Sequence, residues 1–124
     1  MSNMFQDVKD FQTAVGQNVG TEPEFPNQVE RELRKKLMAE EVQEYFEGEN
    51  NNDLENIAKE LADIIYIVCG TAVSYGIPLD RVFDEVHRSN MAKLVDGKPV
   101  RRDDGKILKP EGWTPPDVKK ILYP

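Results

Sequence analysis

The chain has 124 residues, a length that supports one hydrophobic core but not two independent ones. Its 16 Lys and Arg stand against 23 Asp and Glu, a formal net charge of -7, which argues against a non-specific grip on nucleic acid because phosphate neutralisation needs surplus cations. No apolar run approaches the roughly 18 residues of a membrane span, the start MSNMFQDVKD lacks the basic and apolar blocks of a signal peptide, and the single Cys69 cannot form an internal disulfide. One cytoplasmic domain over residues 1–124, with no membrane or nucleic-acid partner, is therefore expected.

Four helices followed by an irregular tail are predicted. The first spans about Asn3 to Gln17, with Phe5, Val8, Phe11, Gln12 and Val15 at helical spacing. VGTEPEFPN breaks it, and Asn27 is placed to cap a second helix running to about Glu47, where Gly48 stops it. ENNND is a linker, and Asp53 or Asn52 caps a third helix that Gly76 closes. Ile57, Leu61, Ile64, Ile65, Ile67 and Val68 cover most of that helix's circumference, the pattern of a central bundle position or a subunit interface. Pro78 opens a fourth helix reaching about Leu94, with Val82, Phe83, Val86 and Met91 on its inner stripe. The helical core thus covers residues 3–94. Residues 95–124 are rich in Gly, Pro and charge, and two DGK turns, starting at Asp96 and Asp104, flank PVRR and suit a small hairpin. The stretch from Lys93 to Lys109 is locally basic.

The acids of the second and third helices raise the functional question. Leu33, Leu37, Glu41 and Glu44 step by four, four and three, so an apolar stripe runs into two carboxylates. Glu60 and Asp63 sit one turn apart beside the apolar face of the third helix. Two facing helices that each present two such acids form an oxygen-lined pocket whose charge demands neutralisation. Hard cations such as Mg²⁺ or Mn²⁺ suit it, and carboxylates on neighbouring helices are an established way to hold them. The competing reading is a solvated acidic face, the ordinary fate of a run such as EEVQE. Asp63, followed by IIYIV, has almost no polar side on which to reach water, which weighs toward the metal.

EEVQE at Glu40 to Glu44 followed by ELAD at Glu60 to Asp63 resembles the EExxE, spacer, ExxD pattern of the all-α nucleoside triphosphate pyrophosphohydrolases, the MazG and phosphoribosyl-ATP pyrophosphohydrolase superfamily. The likeness extends through FQTAVGQ, LRKKLMAEE, ELADIIYIVCGTAVSYGI and EVHRSNMAKLVDGKPV to GWTPPD, and is nearest to single-domain, phage-type members. It implies an all-α, four-helix bundle-like fold that associates as a homodimer or homotetramer. It implies hydrolysis of a nucleoside triphosphate between the α and β phosphates, giving the monophosphate and pyrophosphate. Glu41, Glu44, Glu60 and Asp63 would then be Mg²⁺ ligands, with Mn²⁺ as a possible substitute. Glu40 would support those ligands or act as base toward the attacking water.

Further positions follow from the same likeness. Asn90 and Lys93 match positions that contact the phosphates, although Lys93 at a helix end also meets the C-terminal dipole. Phe11 and Gln12 match the stretch that approaches the base, with Gln12 standing where relatives often carry His; an aromatic at helical spacing also suits a core. Arg34, with Lys35 and Lys36, reads as substrate-binding or as part of internal ion pairs. Trp113 either anchors the tail or closes over a nucleotide. Phage-type relatives point to a purine, GTP or dGTP. The alternatives are phosphoribosyl-ATP, dUTP or dCTP as substrate, or a non-enzymatic helical module that binds a cation or a partner.

Overall fold

Asn3, Asn27 and Asp53 each start a helix in the same way, by accepting a hydrogen bond from the backbone N–H three residues on: Gln6 at 3.1 Å, Glu30 at 2.9 Å and Asn56 at 3.1 Å. Such a cap contributes about 1 kcal/mol. The helices that follow are α1 (Met4–Ala14), α2 (Gln28–Asn50) and α3 (Leu54–Tyr75). The computed structural model describes residues 3–124 and is all-α: about 61% of the chain is helical and the only sheet among the described residues has two strands. It divides into two compact units, one up to Leu79 and one from Asp80.

In the first unit α3 packs against both α1 and α2. The fully buried apolar side chains are few, Val8 from α1 and Cys69, Ala72 and Val73 from α3, and each of the two valines contributes about 1.5–3 kcal/mol by leaving water. The loop between α1 and α2 closes over the end of α3: Gly20 N–H donates to the Val73 carbonyl at 2.8 Å and Glu24 N–H to the Tyr75 carbonyl at 3.0 Å. The Glu24 bond gives a partner to a carbonyl of the last turn, and the Gly20 bond adds a second donor to the Val73 carbonyl, which also accepts from Gly76 N–H at 3.2 Å. Gly76 ends α3 at φ 68°, against the Glu22 carbonyl, where no Cβ fits.

The seam between α2 and α3 is built from residues seven apart on α2. Arg34 lies against Gly70 and Ser74, Glu41 against Glu60 and Asp63, and Gly48 against Asn56 and Ile57. Seven residues are two turns, about 10.5 Å along the axis, so the seam has three layers. This corrects two expectations. Gly48 does not stop α2, which continues to Asn50; it is buried in the helix because a Cβ there would stand 2.8 Å from Asn56 Nδ2 and 3.1 Å from Ile57 Cγ1. Leu33 does not belong to the inward face either, being half exposed, and Arg34 takes the buried position instead.

The second unit carries α4 (Leu79–Met91), a hairpin of β1 (Leu94–Val95) and β2 (Lys98–Pro99), and α5 (Val118–Leu122). The hairpin turns at Asp96 and Gly97, both at positive φ, the geometry that favours Asp-Gly. The strands therefore flank the first DGK turn, and the second turn is closed by a separate bridge between Arg101 and Ile107. The fourth helix ends at Met91, short of the expected Leu94, because Leu94 enters β1. The tail holds a short helix, α5, that Asp117 caps by accepting from Lys120 N–H at 3.1 Å. Trp113 anchors the tail to α4, its indole Nε1–H donating to the Ser89 carbonyl at 2.6 Å.

Candidate active site

The middle layer of the seam is acidic. One carboxylate oxygen from each of Glu41, Glu60 and Asp63 lies within 4.8 Å of the other two. Glu60 is 2% exposed, a burial that costs a carboxylate several kcal/mol unless charge and hydrogen bonds compensate. Compensation is incomplete. With both carboxylates ionised, Glu41 Oε2 and Glu60 Oε2 are buried with no donor to accept from, and such atoms call for an explanation in a native fold. Protons supply part of it. Glu41 is pushed up to about 7, first by sharing a hydrogen bond with Glu60, then by burial and by the charges of Glu44, Glu60 and Asp63. Glu60 is correspondingly held below the usual carboxylate range, chiefly by the hydrogen bond from Glu41 and then by Lys59.

Lys59 supplies the only cation on the cluster among the described residues. Its Nζ donates to Asp63 Oδ2 at 2.8 Å and to Glu60 Oε1 at 3.3 Å, and these two contacts raise it above the ordinary lysine range. Reading the sequence by its acids alone passes over this residue, yet Lys59 and Asp63 are four apart on one helix, the spacing at which opposite charges meet.

The chemistry of the donor set fits a divalent metal. The donors are oxygen only, from two helices, with two partnerless oxygens in the buried part of the cluster. A hard cation takes such ligands. Glu44 lies outside the group of three, exposed on α2, but close enough for its charge to raise Glu41. Glu40 is exposed as well. It lines, with Lys36, Ala39, Gln43, Glu44 and Glu47, an open depression of about 430 Å³ whose only wall is α2.

The other site candidates divide among three places. Gln12 and Arg34 lie in the first layer of the seam, not with the acids. Gln12 is 2% exposed; its Nε2 donates to the Asn18 carbonyl at 3.0 Å and its Oε1 accepts from Arg34 Nη2 at 3.3 Å. Arg34 Nη2 also donates to Ser74 Oγ at 3.0 Å, and Glu30 stands 3.9 Å away as its countercharge. Phe11 is half exposed and packs edge to face on Tyr66 at 5.9 Å, beside a groove of about 210 Å³ lined by Met4, Asp7, Val8, Ala62, Ile65 and Tyr66. Asn90 and Lys93 belong to the second unit, where Lys93 Nζ donates to Asn90 Oδ1 at 3.1 Å. The ammonium of Lys93 also lies 5.7 Å from the Trp113 ring centre and that of Lys109 4.8 Å from it, a cation–π arrangement.

Residues 8–90 match the family described as phosphoribosyl-ATP pyrophosphohydrolase. The match spans more than half of the chain and includes the acids of both helices, and the chain belongs to that family, within the MazG-like all-α nucleoside triphosphate pyrophosphohydrolase superfamily. It is thus a hydrolase of nucleotide pyrophosphate bonds. A search of curated proteins gives no match.

Proposed function

We propose that this member of the phosphoribosyl-ATP pyrophosphohydrolase family hydrolyses a purine nucleoside triphosphate between its α and β phosphates, releasing the nucleoside monophosphate and pyrophosphate. The observation that carries the proposal is the pair of buried, partnerless carboxylate oxygens on Glu41 and Glu60, next to Asp63. Glu41, Glu60 and Asp63 would hold Mg²⁺, or Mn²⁺ in its place, and Glu44 extends the same row of carboxylates from one turn further along α2. The bound ion would supply charge neutralisation for the polyphosphate and its leaving group.

The protein's own residues then have distinct tasks. Glu60, fixed by burial, sets the depth of the site, and Asp63 sits one turn on with its second contact to Lys59. Glu40, exposed beside Glu44 on the depression along α2, would accept the proton of an attacking water. Asn90 and Lys93 are proposed phosphate contacts, and Phe11 a base contact. Gln12 and Arg34, proposed from the likeness as substrate contacts, act at one remove by holding the layer of the seam above the acids. A homodimer or homotetramer is part of the proposal. Leu61, Ile65 and Val68, which share one stripe of α3 at i, i+4 and i+7, remain 48%, 43% and 37% exposed in the single chain, and a second copy would cover them.

The family match favours one second reading, phosphoribosyl-ATP, whose hydrolysis also releases pyrophosphate. Product analysis with ribo- and deoxynucleoside triphosphates and phosphoribosyl-ATP, in Mg²⁺ or Mn²⁺, separates the two. Monophosphate and stoichiometric pyrophosphate from GTP or dGTP, lost in E41Q/D63N, is the expected result. Turnover confined to phosphoribosyl-ATP would replace the substrate, and no turnover of any of them by folded, metal-loaded protein would overturn the hydrolase reading of this site.

A further inference from the structure

Lys59 has no part in the reaction described above, yet it makes two of the closest polar contacts to the acidic cluster. Its ammonium reaches Asp63 Oδ2 at 2.8 Å and Glu60 Oε1 at 3.3 Å, while its own side chain is 68% exposed and that of Glu60 3%. On Glu60 the bond goes to Oε1, leaving Oε2 as the partnerless atom. A flexible stem thus brings a positive charge from solvent onto the rim of a buried anionic group, and the partnerless oxygens are not among those it touches.

We propose that Lys59 is a tethered countercharge that occupies the rim of the metal site and sets its affinity, stabilising the cluster when no divalent ion is bound and opposing the ion when it arrives. The inference rests on the metal site proposed above. The physical reason is that the cluster's carboxylates lie closer together than free carboxylates tolerate. One ammonium offsets part of that repulsion without closing the inner oxygens to a ligand. The same ammonium repels an incoming divalent ion. At about 6 Å, with screening near that of bulk water, the repulsion weakens binding about tenfold. Lys59 is therefore a positioning residue that acts through Glu60 and Asp63 and touches no substrate.

The test is calorimetric titration of Mn²⁺, without nucleotide, into the full chain and into Lys59→Met and Lys59→Arg, together with melting of the metal-free proteins. The exposed side chain makes both substitutions compatible with the fold. Lys59→Met is expected to bind Mn²⁺ about tenfold more tightly than the parent and to melt lower when metal-free, whereas Lys59→Arg keeps both values near those of the parent. A purely structural lysine would lower the melting temperature equally with and without Mn²⁺ and leave the affinity unchanged, and that result would overturn the proposal. So would weaker binding by Lys59→Met. Absence of Mn²⁺ binding by the parent chain is a different failure, that of the metal site itself.

Discussion

Two buried polar layers lie about 10.5 Å apart on the same pair of helices, and they are finished differently. Around Arg34 most groups find one another: Gln12 and Ser74 accept from the guanidinium, Asn18 accepts from Gln12, Glu30 supplies the opposite charge, and only Arg34 Nε among them is left without a partner. Around Glu60 like charges meet, two oxygens remain without partners, and the nearest cation is a lysine reaching in from solvent. A buried network whose charge is answered from within specifies packing, whereas a cluster of like charge leaves that task to protons, to a lysine from solvent or to a bound cation. The difference lies in which element each layer recruits. The Arg34 layer draws on α1 and on the loop before α2, while the acidic layer has only α2 and α3.

Neutralising the open layer gives the largest expected effect. Glu41→Gln should lower turnover roughly a thousandfold, the scale of losing a preorganised charge-stabilising group. Its metal-free form should melt at the same temperature as the parent or higher, because the acid whose charge is disfavoured by burial and by the neighbouring carboxylates is removed. Arg34→Met should do the reverse. It strands Gln12 Oε1, takes from Ser74 Oγ its donor and from Glu30 its countercharge, a loss of about 2–4 kcal/mol in denaturant unfolding. Gly70→Ala sharpens the contrast without touching a charge. Its Cβ would stand 2.5 Å from Gln12 Oε1 and 2.8 Å from Arg34 Nη1, so a loss of about 2 kcal/mol is expected from overpacking, with Mn²⁺ affinity retained.

The smallest effect belongs to the second unit and depends on pH. Glu85 is held down to about 2, first by Arg88 and then by the backbone N–H of Asp117. A carboxylate lowered on folding adds stability that is complete above its ordinary 4.5 and is lost as pH falls through about 2. Acid titration of melting should therefore show a decline between pH 4.5 and 2 that Glu85→Gln flattens.

The helix caps, the left-handed Gly76 and the placement of the acids on helices were legible because each rests on neighbours in sequence. Gly48 misled, since a glycine that ends a helix and one that admits a facing side chain look alike until Asn56 and Ile57 are placed beside it. The i, i+3 spacing of Glu60 and Asp63 pointed to one face of α3. That Glu41 joins the group of three while Glu44 stays exposed at its edge depends on the crossing of α2 over α3, which spacing along one helix does not contain. The Gln12, Arg34 and Ser74 layer was illegible for the same reason, its members coming from three separate segments. Helix α5 was readable in principle from Asp117 after two prolines, but VKKIL is too short to show a period.

The measurement that most directly tests the open acidic layer is anomalous diffraction from crystals of the protein grown with Mn²⁺. An anomalous peak bonded to oxygens of Glu41, Glu60 and Asp63 at the ordinary metal–carboxylate distance of about 2.0–2.2 Å is the expected result. A peak confined to other residues, or a cluster still closed by its shared proton and Lys59 in saturating Mn²⁺, would contradict it.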